Sequence, residues 1–282
     1  MPLLSRRVML RYGAGAAAGT AASYALSALL DPGTPAAEPD RPSGAAPSYL
    51  TGSFVSAARG GVETSWAIAR PLAATQALRP VIALHGRGGN AGGVMTMGVQ
   101  DGLAQAMKIG WPPFAVVSVD GGGNSYWHRR SSGEDAGAMV LTELLPMLTS
   151  HGLDTSRVAF LGWSMGGYGA LRLGASLGPA RTAAICAVSP ALWTSYASAD
   201  AGAFDGPDDW ARNTVFGLPT LSQIPLRIDC GTGDRFADTT RQFISQLRRP
   251  PAGGFWPGGH NVSFWTSLMA ADLTWIASQL TA

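Results

Sequence analysis

From Pro80 onward, five short apolar runs punctuate the chain: "PVIALHG" from Pro80, "FAVVSVDG" from Phe114, "RVAFLGWS" from Arg157, "AAICAVSP" from Ala183 and "LRIDCGTGD" from Leu226. They are continuous rather than alternating, the pattern of strands buried on both faces of a parallel sheet. Between most of them the apolar positions recur with helical spacing. In "EDAGAMVLTELLPML", Val140, Leu144 and Leu148 share one stripe with Leu141 and Leu145 beside it, and "TTRQFISQL" continues the theme. The C-terminal "SFWTSLMAADLTWIASQL" does so through Met269, Leu273, Ile276 and Leu280. Strand and helix alternate, which predicts an α/β fold with a mainly parallel central sheet flanked by helices on both faces. Upstream, "SFVSAARGGVETSWAIARP" reads as two strands turning at Gly60-Gly61, a hairpin at the sheet edge. The stretch from Pro190 to Pro225, with Trp193 and Trp210, predicts an inserted cap-like or substrate-facing segment around 190–225.

Composition narrows the class. With 282 residues, 46% of them apolar, the chain supports one large core, and a net charge of +2 gives no basis for nucleic-acid binding. Cys186 and Cys230 sit inside apolar runs without zinc-like spacing, so they read as buried free thiols or as a disulfide between neighbouring strands. The first residues differ from the rest. Ser5-Arg6-Arg7-Val8-Met9-Leu10, then Arg11 and a stretch rich in Ala and Gly, resembles a twin-arginine export signal ending near Ala37, with a retained membrane anchor as the alternative. Both readings put the body outside the cytoplasm, secreted or close to membrane or cell wall. Residues 38–52, rich in Pro, Ala and charge, predict a linker, and 53–282 the folded domain.

Gly162-Trp163-Ser164-Met165-Gly166 stands between a strand run and a helical pattern. In G-x-S-x-G the serine occupies a strained strand-to-helix turn that presents its hydroxyl above the sheet. A serine hydroxyl needs a base and a group to orient that base. The only histidine after Ser164 is His260, on the loop before the last helix. Asp234 ends the strand run "LRIDCGTGD", at the sheet edge where open α/β sheets form sites, and is preferred as the acid over Asp238, which reads as a carboxylate in the first turn of the next helix. The backbone N–H groups of Met165 and, from the glycine-rich loop "ALHGRGGNAGG", of Arg87 are the expected oxyanion donors, with His85 holding that loop. In "DGGGNSYWHRR", Asn124, Tyr126, Trp127 and His128 are candidate substrate-binding residues, able to stack on a sugar or aryl group.

His85-Gly86, the Gly162–Gly167 stretch, Cys230-Gly231-Thr232-Gly233-Asp234 and Gly258-Gly259-His260-Asn261 together resemble the motifs of the α/β-hydrolase fold. More narrowly, the chain from about Ser53 is similar to secreted bacterial esterases of the esterase D, feruloyl esterase and antigen 85 mycolyltransferase group. The resemblance implies an oxyanion loop, nucleophile, acid and base at these four places, in that order. Asp234 stands where mycolyltransferases carry a glutamate, which favours hydrolysis over mycolyl transfer. The expectation is an exported serine esterase that forms an acyl-enzyme on a small-molecule, lipid or sugar ester, without metal or organic cofactor. The alternatives are an acyltransferase to a sugar hydroxyl and a non-catalytic wall-binding protein on the same fold.

Overall fold

A computed structural model describes residues 49–71, 74 and 76–281; the predicted export segment and residues 38–48 of the predicted linker lie outside these. Eight strands form one sheet: β1 (Tyr49–Ser56), β2 (Val62–Ala69), β3 (Pro80–Leu84), β4 (Ala115–Val119), β5 (Val158–Trp163), β6 (Thr182–Val188), β7 (Leu226–Gly231) and β8 (Ala252–Trp256). Their spatial order is β1-β2-β4-β3-β5-β6-β7-β8, antiparallel at β1/β2 and β2/β4 and parallel from there on. The predicted hairpin and all five apolar runs are thus strands of one sheet. Two corrections follow. Strand β1 starts at Tyr49, so residues 49–52 belong to the sheet rather than to the linker, and β8 was not anticipated.

Every residue of β3, β4, β5 and β6 is buried, and successive residues serve opposite faces. On one face Ile82, Leu84, Phe160 and Ile185 meet the helical stretch 136–150 and the helix that follows Ser164. On the other, Val81, Ala83, Leu161 and Cys186 meet α2 (Val99–Lys108) and the long C-terminal α7 (Val262–Leu280), which follow the short α1 (Ala91–Met95). The stretch 136–150, α3, is not a uniform α-helix. Its centre, Met139–Leu144, winds as a π-helix, the wider turn that accommodates Pro146, which has no N–H for the usual i→i−4 bond. The remaining helices are α4 (Met165–Leu177), α5 (Pro207–Asn213) and α6 (Ala237–Ser245). Among the described residues, no helix is long and apolar enough to cross a membrane.

The segment 190–225 holds α5 and two short 3-10 turns, and it packs down rather than standing off: Leu192, Trp193, Phe204, Val215, Leu221 and Ile224 are buried in the core that α4 shares. Cys186 and Cys230 are both buried and unbonded to each other, which settles their pairing in favour of free thiols. Asp229, fully buried on β7, accepts hydrogen bonds from Gly254 N (3.1 Å) and Trp256 Nε1 (2.6 Å) and lies 2.7 Å from Arg227 Nε. This carboxylate fastens β8 to the sheet. A Cβ at Gly253 would come within 2.4 Å of Ile228 O and 2.9 Å of the Asp229 carboxylate, so a residue with a side chain would push the strand away from it.

Candidate active site

The carboxyl ends of β3, β5, β7 and β8 converge on Ser164, the residue between β5 and α4. Ser164 has φ 54° and ψ −121°, a region of backbone space that costs a side-chain-bearing residue on the order of 1–3 kcal/mol. Its neighbours over-determine it. Its N–H donates to Val188 O (3.1 Å), and its carbonyl accepts from Tyr168 N (3.1 Å) and Ala191 N (3.0 Å). A Cβ on Gly162 would sit 2.2 Å from Gly166 O, and one on Gly166 would sit 1.9 Å from Leu84 O. Backbone fills the space beside both glycines, which is why the turn closes this tightly only with glycine at both places.

His260 Nε2 lies 2.8 Å from Ser164 Oγ, and His260 Nδ1 lies 2.8 Å from Asp234 Oδ2. The carboxylate has no donor, so Nδ1 carries the proton and Nε2 is left to accept from the serine hydroxyl. The Asp234 side chain is fully buried while that of His260 is 20% exposed. Burial pushes the Asp234 carboxyl up, but the hydrogen bonds from His260 and from Phe236 N (2.8 Å) outweigh it and hold the group below the ordinary carboxylate range. Asp238 is exposed in the first turn of α6, away from this chain of hydrogen bonds.

Two loops, after β7 and after β8, are zipped together and bring Asp234 and His260 within reach of each other. Thr232 N donates to Trp256 O (2.8 Å) and Gly233 N to Gly258 O (2.9 Å). The Phe236 and Trp265 rings meet the His260 ring edge-on at 5.2 and 5.0 Å, and Asn261 caps α7 by accepting from Phe264 N at 3.0 Å.

Met165 is the first residue of α4, so its N–H has no intrahelical acceptor. Neither it nor the Arg87 N–H has a partner among the described residues. The loop after β3 lies against the serine, for a Cβ on Gly86 would be 3.5 Å from Ser164 Cβ. His85 holds that loop, as expected: Nδ1 donates to Gly86 O at 2.8 Å and Nε2 accepts from Gly121 N at 2.9 Å. Its ring thereby ties the β3 loop to the β4 loop.

A cavity of about 560 Å³ opens over Ser164 and His260 and is bordered by Arg87, Tyr126, Arg235 and Trp265. The four candidates in the loop after β4 divide here. Tyr126 lines the cavity, whereas Asn124 lies outside it, its amide donating to Gly202 O at 2.9 Å. Trp127 and His128 are fully buried, which removes them as substrate contacts. Trp127 packs against Gly121, Gly137 and Gly169, and His128 stacks on Phe204 at 5.3 Å with both ring nitrogens near backbone carbonyls. Tyr126 and Trp127 have φ 48° and 55°, and this left-handed pair turns the loop inward. No residue of 190–225 borders the cavity either; that segment reaches it through Trp193 and Phe204, which pack on Tyr126, and through Asp200, which holds Arg235. Arg235, Trp265 and Met97 line the cavity without having been singled out in the sequence; adjacency to Asp234 is the one cue that pointed towards Arg235.

A family model described as Esterase matches residues 73–276. No curated protein matches the chain in sequence. Among solved structures, the chain is similar to a ferulic acid esterase, with 19% identity, a TM-score of 0.72, and 82% of this chain and 98% of that one covered. It is also similar to an S-formylglutathione hydrolase from Agrobacterium tumefaciens (21%, TM-score 0.67, 82% and 95% covered). A third is MPT51 of Mycobacterium tuberculosis (20%, TM-score 0.67, 83% and 99%). The architecture is that of the α/β-hydrolase fold.

Proposed function

The chain belongs to the Esterase family and is a carboxylic ester hydrolase, and on that premise we propose that it is an exported serine hydrolase working through an acyl-enzyme on Ser164. The observation that carries this reading is the unbroken hydrogen-bonded chain from Ser164 Oγ through the His260 ring to Asp234, at 2.8 Å in each step. As Oγ attacks the ester carbonyl, His260 Nε2 takes its proton, and Asp234 stabilises the imidazolium and keeps the ring in the required tautomer. The N–H groups of Met165 and Arg87 receive the charge that develops on the carbonyl oxygen. His260 then returns the proton to the departing alcohol. A water molecule, activated by the same nitrogen, attacks the acyl carbonyl and releases the acid with Ser164 restored.

Ser164→Ala tests the assignment. It leaves the fold intact and lowers turnover of a chromogenic ester by roughly 10⁴- to 10⁶-fold; near-normal turnover by the folded variant refutes it. Export rests on the Ser5–Leu10 motif. Changing Arg6 and Arg7 together to lysine retains the protein in the cytoplasm, and undiminished export of that variant rejects the twin-arginine route.

A further inference from the structure

The charged residues bordering the cavity over Ser164 are of one sign: Arg87 and Arg235 line it, and among the described residues no aspartate or glutamate does. Arg235 is fixed. Its Nη2 lies 2.5 Å from Asp200 Oδ2, and its Cζ sits 4.4 Å over the Phe236 ring. Arg87 is exposed at the mouth of the cavity, and its guanidinium has no hydrogen bond or ion pair among the described residues. An arginine with no local acceptor is common on a surface and is not a site by itself.

Tyr126 supplies the independent observation. Only 2% of it is exposed, and its ring is enclosed by Tyr168, Trp193 and Phe204 at centroid distances of 6.0, 5.4 and 6.3 Å. Its hydroxyl nevertheless has no hydrogen-bond partner among the described residues, and the residue borders the cavity. The ring is buried, but the hydroxyl opens onto the cavity, and a hydroxyl there without a protein partner marks a place for a water or ligand atom. The hydroxyl is a donor at neutral pH: burial first, then the Asp200 carboxylate, push it above the ordinary phenol value, against the opposing pull of Arg87, Arg235 and Arg130. Arg87 and Arg235 border the same cavity as Tyr126. Arg235 shares its charge with Asp200, so Arg87 is the unpaired cation; with the unspent hydroxyl donor and the remaining Arg235 N–H it complements an anion, which accepts only, whereas a neutral ester has no use for the cation and a cationic one is repelled.

Resting on the reading of Ser164 as nucleophile, we infer that the ester this enzyme is built for carries an anionic group, a carboxylate or phosphate, taken by Arg87, Arg235 and the Tyr126 hydroxyl. The apolar walls of the cavity, Val94, Met97, Val262 and Trp265, take the uncharged remainder of the molecule.

Three chromogenic esters decide it: 4-nitrophenyl hemisuccinate, anionic on the acyl side; the butyrate of 3-carboxy-4-nitrophenol, anionic on the alcohol side; and neutral 4-nitrophenyl butyrate. One anionic ester is expected to exceed the neutral one in kcat/KM by about tenfold or more, chiefly through KM, and which of the two does so tells the side of the ester that carries the charge. The excess shrinks as salt rises from about 0.02 M to about 0.5 M. Arg87→Gln, Arg235→Gln and Tyr126→Phe each lower the anionic-to-neutral ratio. Equal rates on all three esters, with turnover still abolished by Ser164→Ala, overturn the inference and leave the esterase standing. Hydrolysis that ignores Ser164→Ala removes both.

Discussion

Two loops leave the same edge of the sheet, each with adjacent glycines and each carrying a histidine, yet they do opposite things. The loop after β4, Asp120 to Arg130, turns inward and buries Trp127 and His128. The loop after β8 carries His260 to the cavity floor, 2.8 Å from Ser164 Oγ. Composition does not separate them; backbone does. Consecutive left-handed residues at Tyr126 and Trp127 roll the first loop under itself, and the indole then fills the space left open by Gly121 and Gly169. The second loop is zipped to its neighbour by Thr232 N and Gly233 N and ends on the Asn261 cap, so its histidine cannot turn away from Asp234. A histidine becomes a base where two elements hold it between a carboxylate and a nucleophile, and otherwise it serves as packing.

Substitutions can break this contrast in a defined order. The largest effect falls on the second loop: His260→Gln lowers kcat/KM by roughly 10⁴- to 10⁶-fold with little change in thermal midpoint, checked by ester hydrolysis alongside a melting curve. Next comes the acid. Asp234→Asn keeps the shape but favours the wrong histidine tautomer, at a cost of about 10³- to 10⁴-fold in rate, whereas Asp238→Asn, on the exposed first turn of α6, costs a few tenths of a kcal/mol in stability by loss of a favourable dipole interaction. Purified variants ranked the other way would move the acid to Asp238.

The first loop answers in stability instead. Trp127→Ala removes a fully buried indole and is expected to cost about 3–5 kcal/mol in denaturant unfolding, while the fraction that remains folded loses far less activity than His260→Gln. The smallest effect is on pH dependence and involves His85, the ring that ties the β3 loop to the β4 loop. Burial above all holds His85 below its ordinary value of 6.5. As pH falls through 6.5 the unfolded chain takes up a proton that the folded chain does not, so stability falls toward acid and returns above it. Unfolding free energies at pH 7.5 and 5.5 are expected to differ more in the parent protein than in His85→Asn; equal differences would show that His85 titrates alike in both states.

Much of this was legible in the sequence because the decisive residues sit where strands end. Continuous apolar runs marked β3 to β7, and the glycines about Ser164 encoded the turn directly, since their absent side chains are what the turn requires. Asp234 and Asp238 separated because one follows a strand and the other starts a helix. Strand β8 was not legible: five residues with two adjacent glycines, between prolines, carry no strand signal, and a buried carboxylate on another strand holds them in the sheet. Its omission mattered little for His260 only because no other histidine follows Ser164. Trp127 and His128 were misjudged because a left-handed φ in a residue with a side chain is imposed by the surrounding fold, and the local sequence does not announce it.

The crowding around Gly162 and Gly166 has a consequence for how this protein tolerates mutation. If every single substitution were made and the library sorted twice, once for folded protein and once for turnover, His260 and Asp234 would be depleted chiefly from the active pool. Gly162 and Gly166, whose added Cβ atoms would meet backbone at 2.2 and 1.9 Å, would vanish from both. Ser164 is therefore flanked by positions at which selection on folding alone preserves the shape that the proposed turnover needs, and a lineage released from selection on activity would keep the elbow long after it had lost His260.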